Sequence, residues 1–134
     1  MKEIIISNEI PKELYQKLVD KFNISWDAGV IICYGNVFHC KYHIDAPKYI
    51  HELVHSRRQE KIGKDLWWEL YINKSEFRLE EEVLAYRAEY KFICENVFDR
   101  NTRFEFLYEM ARNLSSPQYG SLISGSDAMK LIQK

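Results

Sequence analysis

At 134 residues, 46% hydrophobic and 14% aromatic, the chain is one domain's worth, 1–134, able to bury about two-thirds of its unfolded surface without disulfides. A formal net charge of −1, with acids and bases interspersed, gives no electrostatic footprint for nucleic acid or an anionic membrane, and no apolar run reaches the length of a membrane span. The three cysteines, Cys33, Cys40 and Cys94, lack CxxC spacing, and Ile4-Ile5-Ile6 is too short for a signal-peptide core; both point to reduced thiols in a cytoplasmic protein.

Residues 3 to 6, β-branched and with little alternation, suit a short buried strand. Pro11 opens an amphipathic helix carrying Leu14, Leu18, Val19 and Phe22 at helical spacing. Three apolar runs follow: Ile24 to Trp26, Val30 to Tyr34, and Val37 to Tyr42. Gly35-Asn36 separates the last two by a hairpin's two residues, so the expected sheet is small and antiparallel. Asp45 reads as an N-cap with Pro47 in the first turn, and the helix it starts runs to Lys61 or Ile62, where Gly63 supplies a left-handed stop. A short helix over Leu66 to Ile72, capped by Asp65, carries Trp67 and Trp68, read as core residues. A longer helix then runs from Ser75 or Glu76 to about Val97. Phe104, Leu107, Tyr108 and Ala111 mark another, ending before Leu114, and Ser126-Asp127 can cap a last one bearing Ala128 to Ile132.

The first of these long helices contains His51-Glu52-Leu53-Val54-His55, an HExxH sequence. Positions i and i+4 share a helix face, so both imidazoles can reach one ion, while Glu52 can act as a base toward a water molecule. The alternative is an amphipathic surface helix with two chance histidines. The expected inward face runs through His51, Val54, His55 and Arg58.

A catalytic zinc site needs a third protein ligand. The four histidines are His39, His43, His51 and His55, none after the motif. The third ligand is therefore a downstream carboxylate, or His39 or His43 from the sheet. Of Glu80-Glu81-Glu82, only one can face a given point. The apolar face through Val83, Tyr86, Tyr90 and Ile93 favours Glu82, followed by small Ala85; Glu81 is the second choice, Glu89 a supporting partner, and Glu80 part of a solvated face.

His51-Glu52-x-x-His55 followed by Glu82-x-x-Ala85-Tyr86 resembles the gluzincin branch of zinc metallopeptidases, in which a glutamate on a second helix is the third ligand. Together with Ser56-Arg57-Arg58-Gln59, Gly63, Trp67-Trp68, Tyr71, Phe77-Arg78, the Tyr34-Gly35-Asn36 hairpin and Leu114-Ser115-Ser116-Pro117-x-Tyr119-Gly120, it resembles small single-domain metallopeptidases encoded by phages and prophages. A weaker similarity is to regulatory metallopeptidases that cleave phage repressors; Tyr86-Arg87-Ala88-Glu89 departs from their pattern. The resemblance implies a zincin-like α+β fold: a small antiparallel sheet, an N-terminal helix, the HExxH helix, and a following helix with the third ligand. It implies Zn²⁺ on His51, His55 and Glu82.

The expected activity is hydrolysis of a peptide or protein substrate, with Glu52 as general base and Tyr86, or Tyr119, donating to the oxyanion. Arg58 and Arg78 are assigned to salt bridges with Glu81 or Glu89, or to substrate anchoring. Val37 to Tyr42 is assigned as an edge strand open to strand addition, with His39 and His43 near the cleft. The competing reading is a non-enzymatic binding or virion-associated protein that keeps a metal-stapled fold.

Overall fold

Gly35, at φ +64°, and Asn36 turn the chain between strand β2 (Ile32–Tyr34) and strand β3 (Val37–His39), which pair antiparallel with Cys33 opposite Phe38. The computed structural model describes residues 2–134. Strand β1 (Ile5–Ser7) lies parallel to β3, with Ile5 opposite Val37. The sheet order is β1-β3-β2, so the sheet is mixed rather than antiparallel, and β3 is its central strand. Three expectations fail here. Val37 to Tyr42 is no edge strand, because β1 returns to its free side. Ile5 and Ile6, which point to opposite faces, are each 53% exposed, so β1 is a surface strand instead of a buried one. Ile24 to Trp26 forms no strand either: Ala28 and Gly29 N–H donate to the Ser25 and Trp26 carbonyls, closing a turn ahead of β2.

Six helices accompany the sheet in an α+β arrangement. Helix α1 (Lys12–Lys21) buries Leu18. Helix α2 (Ala46–Ile62) begins as expected: Asp45 accepts from the Lys48 N–H at 3.0 Å, with Pro47 in the first turn. Gly63, at φ +103° and ψ 124°, has a positive φ as expected but a ψ outside the left-handed helical region. Its N–H donates to the Gln59 carbonyl and its own carbonyl accepts from Trp67 N–H, so one residue ends α2 and begins α3 (Lys64–Asn73). Asp65 therefore lies in the first turn of α3 instead of capping it.

Helix α4 (Ser75–Asn96) lies against α2 and buries Ala85 completely. Helix α5 (Arg100–Leu114) is capped by Asp99 and buries Leu107, Met110, Ala111 and Leu114. Phe104 and Tyr108, expected on that face, point outward and are 56% and 51% exposed, because the Leu107 and Leu114 side is the one that packs on α4 and α6. A 3₁₀ turn (Pro117–Tyr119) leads to α6 (Gly125–Ile132), capped by Ser124, two residues before the expected pair. No helix among the described residues is long and apolar enough to cross a membrane.

Two apolar clusters result. One joins α4, α5 and α6 around Tyr86, Ile93, Leu107 and Leu114; the other joins α1, β2 and α3 around Leu18, Phe22, Ile32 and Trp67. Tyr119 packs against both. The HExxH segment lies at a cleft of about 470 Å³ lined by residues of both groups.

Candidate metal centre

The buried face of α2 is polar. It runs through His51, Glu52, His55, Ser56 and Gln59, while Val54 and Arg58, expected inward, are only half-buried. The reason is the hairpin seated on the helix. Ser56 Oγ donates to the Gly35 carbonyl at 2.7 Å. Gln59 accepts from Gly35 N–H at 2.6 Å and donates to the Cys33 carbonyl at 2.8 Å, and Trp68 Nε1 donates to that same carbonyl at 3.0 Å. These bonds satisfy backbone groups at the free side of β2 and fix the strand over the motif.

The histidines are no surface pair: each is 4% exposed. Glu82 is the group that brings them together. Its Oε1 lies 3.0 Å from His51 Nε2 and 3.3 Å from His55 Nε2, and its Oε2 lies 3.2 Å from His55 Nε2. Tyr71 hydroxyl donates to Glu82 Oε2 at 2.6 Å. Behind His51, Nδ1 meets Glu89 Oε1 at 2.9 Å, and Lys48 Nζ lies 3.4 Å from Glu89 Oε2. Glu52 sits on the cleft side, with Oε2 3.9 Å from His51 Nε2.

Two carboxylates thus stand near the imidazole pair. His51, Glu52 and His55 can offer ligand atoms within 4.8 Å of one another. Glu82 is the better third donor on distance, since it lies within 3.3 Å of both Nε2 atoms, whereas Glu52 comes no nearer than 3.9 Å to His51 Nε2. Two imidazole nitrogens and a carboxylate oxygen form a donor set suited to zinc.

The buried carboxylates favour positive charge on the imidazole pair. Burial opposes a charge on His51, yet its hydrogen bonds to Glu82 and Glu89 outweigh that and push its pKa up to about 10. In the metal-free chain a proton on Nε2 therefore occupies the place where a metal would bind. Burial resists ionisation of Glu82, but His55 and His51 together hold its carboxyl well below the usual carboxylate range. Burial pushes Glu52 the other way, above its ordinary value, with the two imidazoles opposing and Glu82 and Glu89 adding to the rise. His55 Nδ1 is buried without a hydrogen-bond partner; the ring lies 5.2 Å from the Trp67 ring, leaving Nε2 as its only engaged nitrogen.

Other expected residues fall elsewhere. Glu81 is occupied: Arg58 donates to it through Nε at 3.1 Å and Nη2 at 3.0 Å, and Trp67 Nε1 donates at 2.8 Å. That salt bridge matches the expectation for Arg58 and engages both Glu81 oxygens. Arg78 makes no such bridge; it donates to the carbonyls of Tyr71, Ile72 and Tyr119. His39 Nδ1 lies 2.9 Å from the Glu9 carbonyl and His43 is exposed, and neither lines the cleft. Glu80 is exposed, as read.

Tyr86 packs its ring 4.4 Å from that of His51, and its hydroxyl lies 2.8 Å from the Tyr119 hydroxyl; both residues line the cleft. Burial raises both phenols well above their ordinary pKa, so both remain protonated donors. Trp67 and Trp68 belong to the core and also brace the site, through Glu81 and the Cys33 carbonyl. Cys33, Cys40 and Cys94 are free, and burial pushes the Cys33 thiol far up, so it lines the cleft as a neutral group.

Sequence reasoning gave no role to Tyr71, Ser56 or Gln59. Tyr71 follows Trp67 at i+4 and so shares its buried face, a signal present in the spacing. For Ser56 and Gln59 the signal is their place on the motif's own helix, at i+4 from Glu52 and His55.

Comparison of the chain with protein-family models, curated proteins and solved structures finds no match in any of the three.

Proposed function

We propose that the chain is a zinc-dependent peptidase of zincin-like, gluzincin-type build, acting on a peptide or protein substrate. The observation that carries this reading is the meeting of His51 Nε2, His55 Nε2 and the Glu82 carboxylate within 3.3 Å, with Glu52 beside them on an open cleft. His51, His55 and Glu82 would hold the ion. Zinc, when bound, polarises a carbonyl and lowers the pKa of water toward about 7.

Glu52 takes the proton of the attacking water and passes it to the departing amine. Its burial, which raises its carboxyl pKa, brings that base closer to neutral pH, where proton transfer in both directions is efficient. Tyr86, hydrogen-bonded with Tyr119, donates to the developing oxyanion. Glu89 accepts from His51 Nδ1, which fixes the tautomer with the Nε2 lone pair toward the ion. An extended substrate lies along the cleft wall at Val30–Ile32 rather than along β3, which is the central strand of the sheet.

The test is metal analysis and cleavage of a peptide library by wild type and Glu52→Gln. The expected result is one zinc per chain in both and cleavage by wild type alone. Equal cleavage by the two removes Glu52 as base. Bound zinc with no cleavage by either supports the non-enzymatic, metal-stabilised alternative.

A further inference from the structure

Arg78 is a buried guanidinium, 5% exposed, whose hydrogen bonds among the described residues go only to carbonyl oxygens. Nη1 donates to the Tyr71 carbonyl at 2.6 Å and the Ile72 carbonyl at 3.4 Å, at the C-terminal end of α3, where the helix dipole favours a cation. Nε donates to the Tyr119 carbonyl at 2.7 Å, and the guanidinium stacks over the Phe22 ring at 4.7 Å. The next residue, Gly120, is left-handed at φ +96°, and a Cβ there would lie 2.9 Å from Nη2. The turn Pro117–Tyr119 is therefore seated flat on this one side chain. A desolvated charge is costly unless its donors are satisfied, so such a residue is placed for what it holds.

What it holds is Tyr119. The bonds within the turn, from Tyr119, Gly120 and Ser121 N–H to the Ser116 and Pro117 carbonyls, shape the turn but do not tie it to the cleft. Arg78 is the polar tie from that backbone to α4, the helix that also carries Glu82 and Tyr86. We propose that Arg78 is a positioning residue that fixes the Tyr119 hydroxyl 2.8 Å from that of Tyr86, making the two phenols one donor unit at the cleft. Within such a pair one hydroxyl donates to the other, leaving a single O–H, strengthened by the bond behind it, to donate into the cleft. The catalytic part of this inference rests on the peptidase reading; the positioning part does not.

The experiment uses the full-length zinc-loaded chain and the variants Arg78→Met, Arg78→Lys, Tyr119→Phe and the double variant Arg78→Met/Tyr119→Phe. Hydrogen–deuterium exchange over residues 115–121 is read beside kcat and KM. The expected exchange in Arg78→Met rises about tenfold in that segment while α2 is unchanged, as for a locally released turn. Tyr119→Phe and Arg78→Met are each expected to lower kcat by roughly 10- to 100-fold at nearly constant KM, the scale of losing an oxyanion donor. The double variant should lose no more than either single one, because both remove the same hydroxyl from its place.

Losses that multiply in the double variant, or unchanged exchange at 115–121 in Arg78→Met, overturn the proposal. Should Arg78→Met not fold, Arg78→Lys carries the test: lysine keeps the charge but cannot reach the Tyr71 and Tyr119 carbonyls together, so the same pattern is expected at smaller amplitude. If wild type cleaves no peptide, the peptidase reading fails by itself, and the exchange measurement alone decides whether Arg78 holds Tyr119.

Discussion

The Tyr71 hydroxyl donates to Glu82 Oε2 at 2.6 Å, while the other oxygen of that carboxylate faces the His51 and His55 imidazoles. The carboxylate is thus held from behind by a helix other than its own. Tyr71→Phe keeps the ring in its stack on Trp67 and removes only this bond. Zinc affinity is expected to fall about 10- to 100-fold, the usual effect of deleting a hydrogen bond to a ligand, read by competition with a chelator. An unchanged dissociation constant would mean that Glu82 needs no such support.

Removal of the proposed ligands has a sharper outcome. His55→Ala and Glu82→Gln should each lose stoichiometric zinc after dialysis, while Glu89→Gln should retain it at reduced affinity, because Glu89 meets His51 at Nδ1 and not at Nε2. Full retention by Glu82→Gln would reassign the third ligand, with Glu52 the remaining carboxylate near His51.

Proton release follows from the raised pKa of His51. In the metal-free chain that pKa is about 10, above the ordinary 6.5, so the charged ring contributes stability that is complete below about 6.5 and lost as pH rises through about 10. At pH 8 the metal-free ring is therefore protonated, and a metal on Nε2 must displace that proton. Calorimetric titration at pH 8 in buffers of different ionisation enthalpy should show about one proton released per zinc. The metal-free chain should also lose urea resistance between pH 7 and pH 10. Neither effect would be seen if His51 were neutral there.

Glu81 is fully buried and depends on Arg58 and Trp67. Arg58→Met leaves that carboxylate short of two charged donors. With the Arg58 side chain 34% exposed, the cost is expected to be about 2 kcal/mol, below the range for a wholly buried pair. The double variant Arg58→Met/Glu81→Gln should recover part of it, as measured by urea midpoints at constant slope.

Gln59→Leu removes the side chain that bonds both the Gly35 N–H and the Cys33 carbonyl. The unmet polar groups should cost about 1–3 kcal/mol, and the hairpin amides should exchange faster than those of α4. If the peptidase reading holds, KM should rise more than kcat falls, since the loosened element is the wall along Val30–Ile32.

Much of the site could be read from the chain because its information is local. The HExxH spacing, the Asp45 cap and the i+4 and i+7 placement of Val83, Tyr86, Glu82 and Glu89 are properties of single helices, and all recur in the structure. The two-residue hairpin is equally local. What could not be read depends on partners distant in the chain. Nothing in Val37 to His39 says that residues 5 to 7 return to pair with it and make it central. Nor does Phe104, at the same helical phase as Leu107 and Ala111, reveal which side of α5 meets α4. Arg78 is a case of the same kind: an arginine beside several glutamates invites an ion pair, yet Glu81 is taken by Arg58 and the nearest acceptors of Arg78 are backbone carbonyls.

Helices α2 and α3 share Gly63, with no loop between them. The lever arm from that joint reaches His55 two turns back and Tyr71 two turns ahead, so one pair of backbone angles sets where the Tyr71 hydroxyl stands relative to the histidines. A Cβ at Gly63 would touch nothing within 4 Å. Alanine there would fit the available space and still oppose φ +103°, so its effect would arrive as a rotation of one helix against the other, detuning the centre from eight residues away on either side.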